Sequence, residues 1–182
     1  MPAAIAAAKQ ALRTEMRAVR GRIAADPADR LARSTRIWAR IVSLTDLGAL
    51  SPRSETQRAQ MPNGIVNVML FESRPTEPDT AAWYAWCRDR DVATFRPVVA
   101  GADLRVDPGD LDPAVLDVVV VPGLAFTADG RRLGQGGGHY DRFLVRLRPD
   151  CITVGAAFVE QIVVDVPVEP HDVRMTHVAT DA

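Results

Sequence analysis

Lysine is almost missing from this chain. Of its 22 basic residues, only Lys9 is a lysine and the other 21 are arginines. A GC-rich coding sequence drifts to arginine wherever either residue serves. That makes Lys9 a candidate for a role that needs a compact ammonium, against the plainer reading of a solvated helix charge. Cysteine is scarce too: Cys87 and Cys151 lie far apart and offer neither metal-ligand spacing nor a disulfide framework. Both are expected to stay reduced in a cytoplasmic protein. No apolar run approaches the ~20 residues that a membrane-spanning helix needs. The alanine-rich start has no basic stretch before it and reads as a helix, not a signal peptide. A net charge of -1 leaves no basic excess for general nucleic-acid binding. Nucleic acid and membrane are therefore not expected partners; a small molecule is, and the chain is expected to be a monomer.

What is present has an alternating rhythm. Residues 3–24 read as an amphipathic helix whose apolar stripe is Ile5, Ala8, Leu12, Met16 and Val19. Asp26-Pro27 starts a second helix, to about Ser43, with Leu31, Ile37, Trp38, Ile41 and Val42 on its buried side. Residues 45–63 carry no period and read as an irregular surface excursion. Strands are expected at Ile65–Phe71, Val92–Val99, Val118–Val121 and Cys151–Phe158, with a short terminal one at Thr176–Ala179. Helices are expected over 80–90, burying Trp83, Trp86 and Cys87, and over Tyr140–Leu147. Gly101–Pro113, with Asp103, Asp107 and Asp110, reads as a loop, and Val159–Val163 as a short connection. Strands alternating with helices imply an α/β fold. The expectation is a single domain over 1–182, a three-layer α/β/α, Rossmann-like, mostly parallel sheet with helices on both faces.

The most informative stretch is Val118–Leu144, VVVVPGLAFTADGRRLGQGGGHYDRFL. A run of β-branched residues suits a strand buried on both faces. Gly134, Gly136, Gly137 and Gly138 then let the backbone turn sharply and present successive amides to an anion. The loop is not a Walker A motif, which ends in Gly-Lys-Ser/Thr, and its spacing does not fit the dinucleotide fingerprint. Alone, it could be a tight turn. The flanking Arg131, Arg132, His139, Tyr140 and Asp141 add guanidinium, aromatic and carboxylate groups that a mere connection does not need. Asp141 fits either a ligand role or a favourable charge at a helix start.

The order VPGLAF, G-x-RLG-x-GGG-x-YD-R-FL resembles the signature of the 5-formyltetrahydrofolate cyclo-ligase (methenyltetrahydrofolate synthetase) family. Lys9–Arg13 resembles that family's K-x-x-L-R, Glu77–Thr80 its E-x-x-T, and Gly155–Phe158 with Gln161 and Pro167–Asp172 its closing segment. The resemblance implies ATP-dependent cyclisation of 5-formyltetrahydrofolate, with ATP and Mg2+ as cofactors and a reduced folate as substrate. It implies an ATP site at Lys9, Arg13, Arg132, Leu133, Gly134, Gln135, Gly136, Gly137, Gly138, His139 and Tyr140. Glu77, Gln135, Gly138, His139 and Tyr140 would meet the substrate, and Asp141 and Asp172 the metal. His171 and His177 are read as non-ligands, Met61 as a loop residue and Met69 as core. The chain departs from the pattern with His139-Tyr140 in place of Tyr-Tyr, with Gln135 where arginine is common, and with a short connection between Pro97 and Val118 whose Gly101–Pro113 stretch lacks an aromatic residue. Those departures keep open a relative that binds ATP but acts on another small molecule, such as a thiamine-related one, and a non-catalytic nucleotide- or folate-binding regulator.

Overall fold

A computed structural model describes residues 2–47, 66–108, 111–169 and 172–182. Helices α1 (Pro2–Ala24) and α2 (Pro27–Leu44) come first. Strand β1 (Asn67–Met69), helix α3 (Ala81–Arg88) and strands β2 (Ala93–Ala100) and β3 (Asp103–Asp107) follow. Next come β4 (Val118–Pro122), the short β5 (Ala125–Phe126) and β6 (Arg132–Leu133), α4 (His139–Leu144), β7 (Ile152–Ala156) and β8 (His177–Ala179). Six strands form one sheet in the order β3-β2-β1-β4-β7-β8, parallel except for β3 at the edge.

The four-valine run explains why both faces are covered. Successive side chains of a strand point to opposite sides. Val118 and Val120 therefore join Val68, Leu70, Ile37, Trp38, Ile41, Trp83 and Cys87 on the face under α2 and α3. Val119 and Val121 join Met69, Phe143, Leu144, Leu104 and Val106 on the other. Each such side chain contributes about 1.5–3 kcal/mol when fully buried. Trp38 and Trp83 stack at 5.4 Å between ring centroids. Helix α2 starts as Asp26-Pro27 predicts: the Asp26 carboxylate accepts from the amides of Ala28 and Asp29, both at 3.0 Å.

Several expectations are corrected. Gly101–Pro113 contains an edge strand, β3, in which Leu104 and Val106 turn inward while Asp103 and Arg105 face solvent; the aspartates mask a period-two pattern. Strand β1 is shorter than Ile65–Phe71, and the β5–β6 hairpin is new. The helix after the glycine loop begins one residue early, at His139, and ends at Leu144. Leu31 is half exposed, because Arg33 and Ser34 take the buried side of α2 at that level. On α1, Ala8 is exposed, and Lys9 and Arg20 are buried instead. The excursion over 45–63 falls mostly outside the described residues, as do Met61, Ile65, Asp110 and His171.

Arg33 ties α2 to the end of the chain. Its guanidinium donates to both Glu160 carboxylate oxygens and to Asp181, and lies 5.0 Å from the Phe158 ring centroid. Arg33 hydrogen bonding holds the Glu160 carboxyl below its ordinary value. Burial alone would raise the Asp181 carboxyl, but the Arg33 hydrogen bond and the Val159 amide outweigh it and hold it low. A lowered folded-state pKa stabilises above the unfolded carboxylate range and is lost as pH falls through the folded value. Arg33→Met should therefore cost about 2 kcal/mol at pH 7 in urea denaturation, Glu160 being half exposed. The cost should shrink as pH drops below about 4; a pH-independent cost would contradict this account.

Candidate active site

Strand order places the site. Chain direction across the sheet reverses between β1, which leads outward to β2, and β4, which leads the other way to β7. Ligands of open α/β sheets bind in the crevice beyond the carboxyl ends of the strands at such a switch. Here the segment after β1 carries Glu77, and the segment after β4 carries the glycine loop.

Helix α1 crosses this crevice with a basic stripe at Lys9, Arg13, Arg17 and Arg20. Lys9 donates to Glu169 and Asp172, both at 2.7 Å. Burial alone would lower its pKa, but these two carboxylates outweigh it and raise the ammonium above the ordinary lysine value. Arg13 donates to the Gly134 carbonyl at 3.1 Å, and Arg17 to that of Gln135 at 3.4 Å. Arg20 is 2% exposed and donates to the Thr76 carbonyl and hydroxyl and the Gly123 carbonyl. It also pairs with Glu77 at 3.2 Å.

The loop between β6 and α4 needs its glycines at two points. Gly136 and Gly138 have φ of 107° and 64°, a region L side chains rarely enter. Arg132, itself 7% exposed, donates to Asp141 at 2.7 Å and to the Pro122 carbonyl at 3.2 Å, and its guanidinium carbon lies 5.5 Å from the Tyr140 ring centroid. The Tyr140 hydroxyl is buried, makes no hydrogen bond among the described residues, and is pushed to a higher pKa by that burial.

Two adjoining cavities result. The smaller, about 90 Å³, is lined by Lys9, Arg13, Arg132, Leu133, Gly134, Gly136, Gly138, Asp141, Glu169 and Asp172. The larger, about 270 Å³, is lined by Glu77, Gln135, Gly137, His139 and Tyr140, with Phe71, Glu72, Arg74, Pro97, Val99, Leu104 and Pro122. Arg132, Gly134, Gly138 and Asp141 border both. Every residue expected at the site lines one cavity or the other. Leu133 is 1% exposed and its side chain packs with Met16 and Leu124. His177 lines neither.

Sequence reasoning passed over Arg20, Arg74 and Glu169, and the hairpin residues Pro97, Val99 and Leu104. Arg20 was readable in principle, since 9, 13, 17 and 20 follow helical spacing. No group of three or more His, Cys, Asp or Glu positioned for a metal occurs among the described residues. Asp141 and Asp172 share the wall of the smaller cavity, a donor set that suits a cation keeping water and phosphate oxygens in its shell.

The architecture and the crevice define a doubly wound α/β protein with a glycine-rich loop at its switch point. Its sequence is more specific than that. Residues 95–181, just under half of the chain, match the model of the 5-formyltetrahydrofolate cyclo-ligase family. The chain is 39% identical over 93 residues to the 5-formyltetrahydrofolate cyclo-ligase of Mycolicibacterium smegmatis, covering 47% of this chain and 48% of that one. It is 42% identical over 69 residues to the mouse 5-formyltetrahydrofolate cyclo-ligase, covering 35% of this chain and 33% of that one. The chain thus spans less than half the length of either relative. The fold is that of the 5,10-methenyltetrahydrofolate synthetase of Mycoplasma pneumoniae, with a TM-score of 0.76, 21% identity and coverage of 96% of this chain and 99% of that one. The Aquifex aeolicus 5,10-methenyltetrahydrofolate synthetase gives a TM-score of 0.72 at 22% identity, over 95% of this chain and 89% of that one.

The buried Arg20–Glu77 pair holds α1 to the crevice. Arg20→Met should lower stability by about 3 kcal/mol, because Glu77 is left buried without its cation. The double variant Arg20→Met/Glu77→Met should recover most of that loss in urea denaturation. Additive losses would show that the two do not act as a pair.

Proposed function

We propose that the protein is an ATP-dependent cyclo-ligase that converts 5-formyltetrahydrofolate to 5,10-methenyltetrahydrofolate, ADP and phosphate. The observation that carries this reading is the shared border of the two cavities. A polyphosphate seated on the glycine amides and an organic substrate in the larger space would meet at Arg132 and Asp141. In the proposed sequence the formyl oxygen attacks the γ-phosphorus and ADP leaves. N10 then adds to the formyl carbon and loses its proton, and the carbon–oxygen bond breaks so that the phosphate leaves and the proton is released with it. Such a transfer asks for positioning and charge neutralisation more than for covalent help.

The chain's own residues have separate parts. Lys9 acts as a point charge on the phosphates, and Arg13 fastens α1 to the glycine loop. Arg132, fixed by Asp141 and Pro122, faces the oxygens between which the phosphoryl group moves. Glu77 accepts from the pterin's N–H groups. Asp141 and Asp172 would hold Mg2+, whose charge would offset that of the phosphates. The buried free cysteines accord with a reducing cytoplasm, where we place the protein as a monomer.

A second reading, an ATP-using relative with another small substrate, draws on the larger cavity's far wall. There Pro97, Val99 and Leu104 of the β2–β3 hairpin offer aliphatic surface and no aromatic ring. One assay separates the two. With Mg-ATP and 5-formyltetrahydrofolate, near-ultraviolet absorbance of the methenyl product should grow and should require ATP. Retained ATP binding without product would favour the second reading. Lys9→Ala should weaken ATP binding about tenfold, the loss of one charge-assisted contact; an unchanged affinity would return Lys9 to a purely structural pair with Asp172.

A further inference from the structure

Arg74 has no place in the readings above. Its side chain is exposed and makes no hydrogen bond or ion pair among the described residues, yet it lines the larger cavity. Neighbouring guanidiniums are engaged. Arg132 is held by Asp141, Arg96 by Glu72 and Asp107, and Arg20 by Thr76 and Glu77. The backbone of Arg74 is fastened to Glu77 twice: its amide donates to the Glu77 carboxylate at 2.9 Å, and its carbonyl accepts from the Glu77 amide at 2.9 Å. The side chain also lies close enough to Arg20 for the two charges to repel. An uncommitted donor is thus anchored beside a carboxylate acceptor, in the part of the larger cavity that the smaller one does not share.

A pterin presents a matching edge. Its 2-amino group and N3–H are donors, and the C4 oxygen next to them is an acceptor. We propose that Arg74 and Glu77 read this edge together, with the Glu77 carboxylate accepting from N3–H and the 2-amino group and the Arg74 guanidinium donating to the C4 oxygen. Arg74 is then a specificity-determining residue for a 4-oxo ring. The inference rests on the folate reading above, because it names the ring that the larger cavity takes. Among the other donors of this cavity that make no hydrogen bond within the described residues, the Tyr140 hydroxyl is buried on the glycine-loop side and is the natural rival.

The test is calorimetric and needs no turnover. 5-Formyltetrahydrofolate and its 4-amino-4-deoxy counterpart, which carries a donor at C4 and loses N3–H, are titrated into the full chain with Mg2+ and a non-hydrolysable ATP analogue present. The unaltered protein should prefer the 4-oxo ligand. Arg74→Met should cut that preference about tenfold, the loss of one charge-assisted hydrogen bond, and leave the part set by Glu77 and N3–H. Arg74→Lys, which keeps a donor, should restore part of it, and Tyr140→Phe should leave the preference in place. A preference that Arg74→Met leaves undiminished, or that falls with Tyr140→Phe instead, overturns the assignment while leaving the folate reading intact. Failure of the unaltered protein to bind either ligand would overturn the folate reading, and this inference with it.

Discussion

The structure depends most on a single buried guanidinium. Arg20 reaches from α1 to the segment after β1, through Thr76 and Glu77, and to the turn after β4, through the Gly123 carbonyl. Those segments form the two lips of the crevice. Burial works against the charged form, and Arg20 is held below the ordinary arginine value even with Glu77 beside it. The pair is therefore weak evidence for stability in itself, but removing one partner strands the other. Its consequence is positional. With Arg20 fixed, the basic stripe of α1 can lie only along the glycine loop.

The site's charges are matched before any ligand arrives. Lys9 meets Asp172 and Glu169, Arg132 meets Asp141, and Arg20 meets Glu77. Side chains held this way lose little freedom when a phosphate or a ring binds, which is the physical content of preorganisation. The arrangement also sets a sequence of exchanges. On the proposed reading, a phosphate that took Lys9 would leave Asp172 and Glu169 in need of a cation, and a metal brought with the nucleotide would suit that need. Arg74 differs, being anchored by its backbone and uncommitted at its tip.

Much of the fold was legible because a few patterns had one physical explanation. An unbroken valine run needs cover on both faces, and Asp26-Pro27 can only start a helix. The glycine loop was legible as more than a tight turn because its flanking charges exceed what a turn requires. The β2–β3 hairpin was hidden, since Asp103 and Asp107 make a half-buried strand look like a polar loop. The buried face of α1 was misassigned for a related reason: hydrophobic periodicity cannot flag a face whose inward residues include Lys9 and Arg20. Leu31 failed on the opposite ground, an apolar side chain left half exposed while Arg33 turned in to meet Glu160 and Asp181. Arg74 left no trace in the sequence. Its interest comes from the partners it lacks among the described residues, and only the folded structure discloses that.

The central claim is that the two cavities form one site, with phosphates on the glycine loop and an organic substrate against Glu77, meeting at Arg132 and Asp141. A crystal structure with a non-hydrolysable ATP analogue and 5-formyltetrahydrofolate tests it most directly. The account predicts the terminal phosphate among Lys9, Arg13 and the amides of Gly136–Gly138, with the formyl group on the far side of Arg132. A nucleotide bound elsewhere, or a folate seated away from Glu77, would contradict it.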